Sequence, residues 1–559
     1  MNKFLLAFLL VGHCARAQVS PGYEPVKVKD DLRQAVVCAH PLAANAGELM
    51  FLYGGNAFDA AIATQLALAV VYPRAGNLGG GGFLVARLAD HSSFTIDFRE
   101  TAPSAAHRDM YVDPATGKAD TSRSLNGPSS CVIPGTVAGL FETYKYAKLP
   151  FDSLINPAIR LAENGFRITA LEAEKLNANR LLIAANNKTA TVFSKSVLWQ
   201  AGDTLRQPEL AETLKRIRNK GRDEFYKGIT AQLILEEMNR QSGFISAGDL
   251  AAYSVVRRTP LQFRYKEYTL ISMPPPSSGG IIMQQVLTML QLLEQQYGDE
   301  GNETDLYHRF LEAERRAFAD RSRWLGDPSF VQVQVDSLIS VNYLTKRLSG
   351  FNPAMAGHSN DIGPGTFESD ETTHLSVVDA EGNALSITTT LNGNYGSKTV
   401  VTGAGFFLNN EMDDFSIQPG VANQFGAIGG AANAIAPGKR MLSSMSPLIV
   451  LKNDSLFAVL GAPGGTTIPS SVMLTFLRMV ELGHSPEHAV NAPRVHHQWV
   501  PDLIYLEPGI DQSMRASLEK YGYTLKDRSY FGTIELIVKG NSGYFTAVAD
   551  RRGDDSIGK

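Results

Sequence analysis

The sequence predicts an α+β protein, and three features carry that reading. Residues 150–350 show mainly helical patterning, the chain turns abruptly to alternating strand at Thr372, and further strands between Gly-rich loops follow to the C-terminus. The 559 residues are enough for a large core, and such a length divides into about two to four folding units. Charged residues make up 19% of the chain, the formal net charge is −4, and the Lys and Arg residues are scattered. That distribution excludes a nucleic-acid partner and an anionic-membrane footprint. Many of the 50 glycines stand beside apolar runs, a pattern of tight turns and close backbone approach.

The first element is a targeting segment. Met1-Asn2-Lys3 gives a basic start, residues 4–12 are apolar, and Ala15-Arg16-Ala17 supplies a cleavage site. Residues 1–17 therefore read as a secretory signal too short to span a bilayer. The expectation is an exported protein, periplasmic or secreted, whose mature chain begins near Gln18. His13 stands before Cys14 where lipidation needs a small residue, which argues against a lipoprotein. Cys38 and Cys131 then remain. A core this large needs no staple, so two buried free thiols are expected, although the sequence is also compatible with one disulfide.

Residues 36–40 read as a strand and 42–53 as a helix stopped by Gly54-Gly55; 57–71 form a second helix, apolar nearly all round. Strands at 83–88 and 93–98 follow the run Gly79-Gly80-Gly81-Gly82. The helical stretch after residue 150 is broken at Pro274-Pro275-Pro276-Ser277-Ser278-Gly279-Gly280. Residues 350–370 lack periodicity, are rich in Gly, Pro, Ser, Asn and Asp, and read as an exposed, mobile segment. Past Thr372, strands are expected at 446–451, 456–461 and 533–539, with a helix over 467–482.

Where the 350–370 segment ends, strands at 372–378 and 384–391 flank the turn Asp379-Ala380-Glu381-Gly382-Asn383. If Val378 opposes Ala384, Thr372 opposes Thr390. Alternation then puts Leu375, Val377, Leu385 and Ile387 on one face. The other face carries Thr372, His374 and Ser376 against Thr390, Thr388 and Ser386, with Asn392 just beyond. This hydroxyl-rich face is the first local sign of chemistry.

Other motifs lead elsewhere and fail on context. Gly79 to Gly82 lacks the Lys-Ser/Thr and following helix of a phosphate loop, so it reads as a tight turn or backbone-approach site. His484-Ser485-Pro486-Glu487-His488 matches an inverted zinc signature, but Ser485 reads as an N-cap with Pro486 first in the helix, leaving His484 outside. His496-His497 reads as structural, and the sequons at Asn187, Asn302 and Asn453 are too short to carry meaning. No G-x-S-x-G elbow is present. Thr372 is the remaining nucleophile. Cleavage before it would free an α-amine of pKa about 7.7–8.0, partly neutral near pH 7, that could take the hydroxyl proton. On these residues alone, Thr372-Thr373 merely starting a strand is the stronger reading.

A wider set of motifs changes that balance. It includes His40-Pro41-Leu42-Ala43, Gly54 to Ala61, Gly79 to Phe83, Asp97-Phe98-Arg99-Glu100-Thr101-Ala102-Pro103, Pro134 to Gly139, Pro274 to Gly280 and Leu325-Gly326-Asp327-Pro328. Thr372-Thr373-His374, Asn409-Asn410-Glu411-Met412-Asp413-Asp414-Phe415, Leu442-Ser443-Ser444-Met445-Ser446-Pro447 and Pro463-Gly464-Gly465 are the strongest. In these, from about Gln34 to its C-terminus, the chain resembles the γ-glutamyltransferases (γ-glutamyl transpeptidases) of the N-terminal nucleophile hydrolase superfamily. The resemblance implies a four-layer αββα sandwich. It also implies a precursor that cuts itself between Glu371 and Thr372 into two interlocked subunits, residues 18–371 and 372–559, with no metal or organic cofactor.

It further implies roles. Thr372 would be the nucleophile, Thr390 would orient it, and the Gly464 and Gly465 N–H groups would form the oxyanion hole. Arg99, with Ser443 and Ser444, would hold a donor's α-carboxylate, while Asn392, Glu411 and Asp414 would hold its α-ammonium. The implied substrates are glutathione and γ-glutamyl compounds, with water, amino acids or dipeptides as acceptors. Residues 418–430 correspond to a full-length lid loop, with Phe425 where several bacterial members carry tyrosine, so a lid hydrogen bond to Asn392 would be missing. The rivals are a cephalosporin or glutaryl acylase of the same superfamily, which the complete lid and headgroup set argue against, an inactive exported binding protein for γ-glutamyl compounds, and a structural envelope protein.

Overall fold

The turn that sets the central hairpin is tied by one side chain. Asp379 Oδ1 accepts the backbone N–H of Glu381 (3.0 Å) and of Asn383 (2.9 Å), so the chain reverses within the expected five residues. The computed structural model describes residues 22–298, 301–362, 371–417, 430–540 and 542–559. The signal segment and residues 418–429 of the lid, Phe425 included, lie outside the described residues.

Strands Glu371–Val378 and Ala384–Asn392 pair with Val378 opposite Ala384 and Thr372 opposite Thr390, the register that the turn predicts. They are the middle of an antiparallel sheet ordered Ser556–Ile557, Ala35–Cys38, Glu371–Val378, Ala384–Asn392, Gly81–Arg87, Ser93–Asp97, Val256–Arg258. A second antiparallel sheet is ordered Val28–Leu32, Phe545–Ala549, Glu535–Lys539, Ser455–Gly461, Leu448–Lys452, Tyr268–Ser272, Leu261–Tyr265. Each has seven strands among the described residues.

Alternation decides what each face meets. Val36, Cys38, Leu84, Leu375, Val377, Leu385 and Ile387 pack outward against helices Pro41–Leu52 and Ala57–Val71, behind which Phe151–Asn164 packs. The intervening residues turn toward the second sheet: Ser376 donates to the carbonyl of Glu535 and Ser386 to that of Leu460. Between them lies His374, fully buried, with Nδ1 2.8 Å from Thr388 Oγ1. Burial pushes its imidazole down to about 3, so it is neutral and structural at pH 7. The second sheet's far side is covered by Gly279–Tyr297, Glu303–Trp324 and Thr467–Val480. The result is the αββα sandwich. Both sheets combine strands from before and after Thr372: in the first, Ala35–Cys38 lies between Ser556–Ile557 and Glu371–Val378, and in the second, four strands from after Thr372 are flanked by strands from before it.

Several expectations need correction. The stretch 150–350 is mainly helical as expected, but it also supplies Val256–Arg258 at the edge of the first sheet and the outer pair Leu261–Tyr265 and Tyr268–Ser272 of the second. Residues 350–362 are mostly exposed, as expected, but they are anchored at Ser359, which is buried, its carbonyl accepting Trp499 Nε1–H and its N–H donating to Asp502. Residues 363–370 lie outside the described residues. Cys131 sits in a loop and not a strand, but it and Cys38 are buried and free. Ser485 does cap the helix Pro486–Asn491, accepting His488 N–H, so His484 stands outside it.

The run Gly79 to Gly82 is a backbone-approach site. A Cβ on Gly80 would lie 2.0 Å from the Thr390 carbonyl oxygen, so only glycine lets this segment close against the hairpin. Gly80→Ala is expected to destabilise the protein by about 1–3 kcal/mol in urea unfolding and to displace Thr390. Unchanged stability would contradict the close approach.

Candidate active site

Thr372 stands where the ladder loosens. Glu371 pairs with Asn392 but Thr372 with Thr390, so Leu391 is skipped and the register shifts at that bond. The neighbouring strand Ala35–Cys38 pairs only as far as Leu375. Thr372 is therefore held on one side by the hairpin, and its side chain points into the space between the sheets.

Its hydroxyl meets the turn that precedes helix Thr467–Val480. Gly464 N–H donates to Thr372 Oγ1 at 3.1 Å. Gly464 has φ +131°, and a Cβ there would fall 2.3 Å from the Phe531 carbonyl oxygen, so the close turn requires glycine. The helix N-terminus adds its positive end to the same point. The Gly464 N–H is thus a backbone donor already in place beside the Thr372 hydroxyl.

The other expected residues converge. Arg99, Thr372, Thr390, Asn392, Asp414, Ser443, Ser444 and Gly465 line one cavity of ≈ 230 Å³. Glu411 stands behind it, its Oε2 2.9 Å from Arg99 Nη1, and Asp414 bonds Arg99 Nη2. Asn392 adopts φ +72°, a conformation asparagine tolerates. Its N–H donates to Thr390 Oγ1 (2.7 Å) and its Nδ2 to the Asn410 carbonyl (2.9 Å), which ties the hairpin end to the acidic turn Glu411–Asp414.

Two contributions were not read from the sequence. Glu100 is buried with an oxygen 3.8 Å from Arg99 Nη1. Its place beside Arg99 in the Asp97 to Pro103 motif was the available signal, but adjacency in sequence does not show that both side chains turn inward. Ser277 and Ser278 build the serine turn: Ser278 donates its N–H and hydroxyl to the Ser443 carbonyl, and Ser277 Oγ donates to that of Met445. The Pro/Ser/Gly break in the helical stretch is thus the support on which Ser443 and Ser444 rest.

The electrostatics follow from crowding. Three carboxylates surround one guanidinium that is 1% exposed. Burial pushes Glu411 up to about 8 and Glu100 up to about 7, in each case against the pull of Arg99. Near pH 7, Glu411 therefore holds a proton that a second nearby cation would displace.

Comparison with known proteins follows the same lines. A sequence model of the gamma-glutamyltranspeptidase family matches residues 43–559. The chain is 39% identical over 576 residues to the glutathione hydrolase proenzyme of Escherichia coli, with 100% of this chain and 98% of that protein covered. It is 43% identical over 506 residues to the glutathione hydrolase proenzyme of Pseudomonas aeruginosa, covering 89% and 90%. The crystal structure of a cephalosporin acylase from Bacillus halodurans superposes with a TM-score of 0.82 over 97% of this chain and 98% of that one, at 24% identity, a likeness of fold.

The raised carboxyl has a consequence for stability. Folded Glu411 keeps a proton that the unfolded chain, near the ordinary 4.5, has lost. Its contribution is therefore present in full below 4.5 and declines as pH rises to about 8. Glu411→Gln is expected to flatten the fall of Tm between those limits relative to the parent protein. Identical slopes would contradict the buried, protonated carboxyl.

Proposed function

Since the chain belongs to the γ-glutamyltranspeptidase family and is an enzyme of it, we propose that it takes γ-glutamyl groups from glutathione and related donors. The acyl group passes to water or to the amine of an amino acid or dipeptide. The observation that carries this reading is the cavity that Thr372 shares with Arg99, Asn392, Asp414, Ser443 and Ser444. A nucleophile beside both signs of charge suits a substrate with a free amino-acid headgroup.

Activation comes first. In the precursor the Thr372 hydroxyl attacks the Glu371 carbonyl, and the C–N bond between them breaks to leave an ester on Thr372 Oγ. That break frees the Thr372 α-amine, and hydrolysis of the ester then restores the Thr372 hydroxyl and divides the chain into residues 18–371 and 372–559. The register shift at this bond and the Gly464 N–H on Thr372 Oγ1 support it. Because both portions contribute strands to both sheets, the cut would leave the two interlocked.

In the mature enzyme the freed amine takes the Thr372 proton and the hydroxyl oxygen attacks the donor's γ-carbonyl. Gly464 and Gly465 N–H groups receive the oxyanion, and Thr390 holds the strand end in position. The leaving amine, Cys-Gly in glutathione, takes the proton and departs. The resulting ester is opened by water or by an acceptor amine.

Headgroup recognition is an exchange of partners. Arg99 holds an ion pair with Asp414 and stands 2.9 Å from the Glu411 carboxyl. A donor's α-carboxylate takes the guanidinium fork, with Ser443 and Ser444 hydroxyls beside it, and its α-ammonium takes Asp414, Glu411 and Asn392. Every charge stays paired only if the ligand is a zwitterion. A ligand with one charge strands a buried partner, at a cost of several kcal/mol. An acylase substrate without the amino-acid headgroup is disfavoured on this ground. The reading also takes residues 1–17 as an export signal, giving a periplasmic or secreted enzyme. No described helix is long and apolar enough to cross a membrane.

Intact mass of the purified protein tests the class. The parent is expected as two fragments divided between Glu371 and Thr372, and Thr372→Ala as one uncut chain; a single chain in both would leave a binding protein. In the processed enzyme, Arg99→Lys removes the planar fork and is expected to lower kcat/KM for γ-glutamyl donors roughly a hundred-fold. An unchanged value would remove Arg99 from headgroup recognition.

A further inference from the structure

The turn that sets Gly464 beside Thr372 is held from behind by a run of buried polar side chains with no part in the steps above. Thr466 follows Gly465 and precedes helix Thr467–Val480, and its hydroxyl donates to Gln498 Oε1 at 3.0 Å. The same oxygen lies 2.7 Å from His496 Nε2, and His496 Nδ1 lies 2.6 Å from Ser470 Oγ. Ser470, one helical turn after Thr466, bonds Glu314 Oε1. The other carboxyl oxygen of Glu314 accepts the His497 N–H at 3.1 Å. Glu314 therefore grips both the helix and residues 495–498 that lie against it. All five side chains are buried, so water does not stand in for a lost partner.

The place of each proton in this run follows from its ends. Burial pushes His496 down to about 3, so the ring is neutral and carries one N–H. Gln498 Oε1 only accepts, which puts that hydrogen on Nε2 and leaves Nδ1 to accept from Ser470 Oγ. The one proton of the serine is then spent, and its bond to Glu314 exists only if the carboxyl supplies a proton of its own. Burial pushes Glu314 up to about 8, which agrees. Among the described residues, the charges around Glu314 are engaged elsewhere. The ring of His497, pushed down to about 4, faces Asp502 at 3.2 Å, and Arg315 pairs with Asp502 and Glu312. Arg478, the one charge on helix Thr467–Val480, bonds Tyr307, two turns before Glu314. Helix Gly279–Tyr297 carries one charge, Glu294, which pairs with Lys266, and the turn Ala431–Asn433 carries none. Helix Gln512–Tyr521 packs at the far end, where Thr304 donates to Met514.

Resting on the reading of Thr372 as nucleophile, we propose that Glu314 is a positioning residue for the oxyanion turn, acting through Ser470, His496, Gln498 and Thr466. The tie from Thr466 to Gln498 keeps the Gly464 and Gly465 N–H groups in place while charge develops at the donor carbonyl. Loss of the Glu314 proton leaves Ser470 Oγ between two acceptors, a carboxylate and Nδ1, with one hydrogen for both. The run then reverses: His496 carries its hydrogen on Nδ1, Gln498 turns its amide, and Thr466 accepts where it had donated.

The test measures kcat and KM for γ-glutamyl-p-nitroanilide, scaled to the processed fraction read by intact mass. Thr466→Val keeps the shape of the side chain and removes the end of the run. It is expected to lower kcat about ten-fold, less than the loss of an oxyanion donor outright, with KM within about two-fold. Glu314→Gln still donates to Ser470 and accepts from His497, so near pH 7 it keeps the parent kcat, whereas Glu314→Leu falls as far as Thr466→Val. The double variant of Glu314→Leu and Thr466→Val falls no further than either alone. Above about 8 the parent loses the proton and Glu314→Gln has none to lose. The ratio of Glu314→Gln to parent kcat, in which Glu411 and the Thr372 amine cancel, is expected to rise from about one near pH 7 to roughly five near pH 9.5. Unchanged kcat in Thr466→Val, or a ratio that stays flat while the parent cleaves the anilide, would overturn the assignment and leave the γ-glutamyl reading standing. A parent enzyme that does not cleave the anilide would overturn both.

Discussion

Glu371–Val378 is hydrogen-bonded on both flanks from Leu375 onward and on one flank before it. That asymmetry is the constraint on which the site depends. The paired half is locked between Ala35–Cys38 and Ala384–Asn392, and its buried side chains allow no slip of register, because a one-residue slip would put Leu375 and Val377 among hydroxyls. The freer half then presents Thr372 at a fixed height between the sheets, where the Gly464 turn meets it. Gly80 makes the arrangement tighter by bringing its chain against the Thr390 carbonyl. Rigidity comes from the sheet, and access comes from the missing flank.

The charge cluster works against this stability and in favour of recognition. A buried guanidinium among three carboxylates is costly, and well-packed apolar residues would hold the fold more cheaply. On the proposed reading, what the cluster provides is a site whose internal pairing a zwitterion would replace. The proton that burial keeps on Glu411 is the reserve: an arriving ammonium stabilises the ionised carboxylate and displaces it.

How much was legible in the sequence depended on whether the information was local. Asp379-Ala380-Glu381-Gly382-Asn383 and the alternation around it specify turn length and pleat together, so the Thr372–Thr390 pairing could be read directly. The edge strands around Leu261–Tyr265 could not, because Arg257, Arg258 and Arg264 give them the polarity of exposed helix. Ser278 was invisible as a positioning residue because its partner, the Ser443 carbonyl, is far along the chain. Residues 350–362 looked mobile by composition, yet Trp499 and Asp502 dock them through contacts that composition does not encode. The resemblance in motifs supplied the remaining candidate residues, of which Arg99, Asn392, Asp414, Ser443 and Ser444 share one cavity with Thr372.

The central claim is that Thr372 carries the acyl group. Its most direct measurement is mass spectrometry of the processed enzyme, mixed with glutathione and quenched in acid during turnover. The account predicts a mass increase of one γ-glutamyl group, confined to the peptide that begins with Thr372 and lost on longer incubation. Turnover with that peptide unmodified, or with the group on another residue, would contradict it.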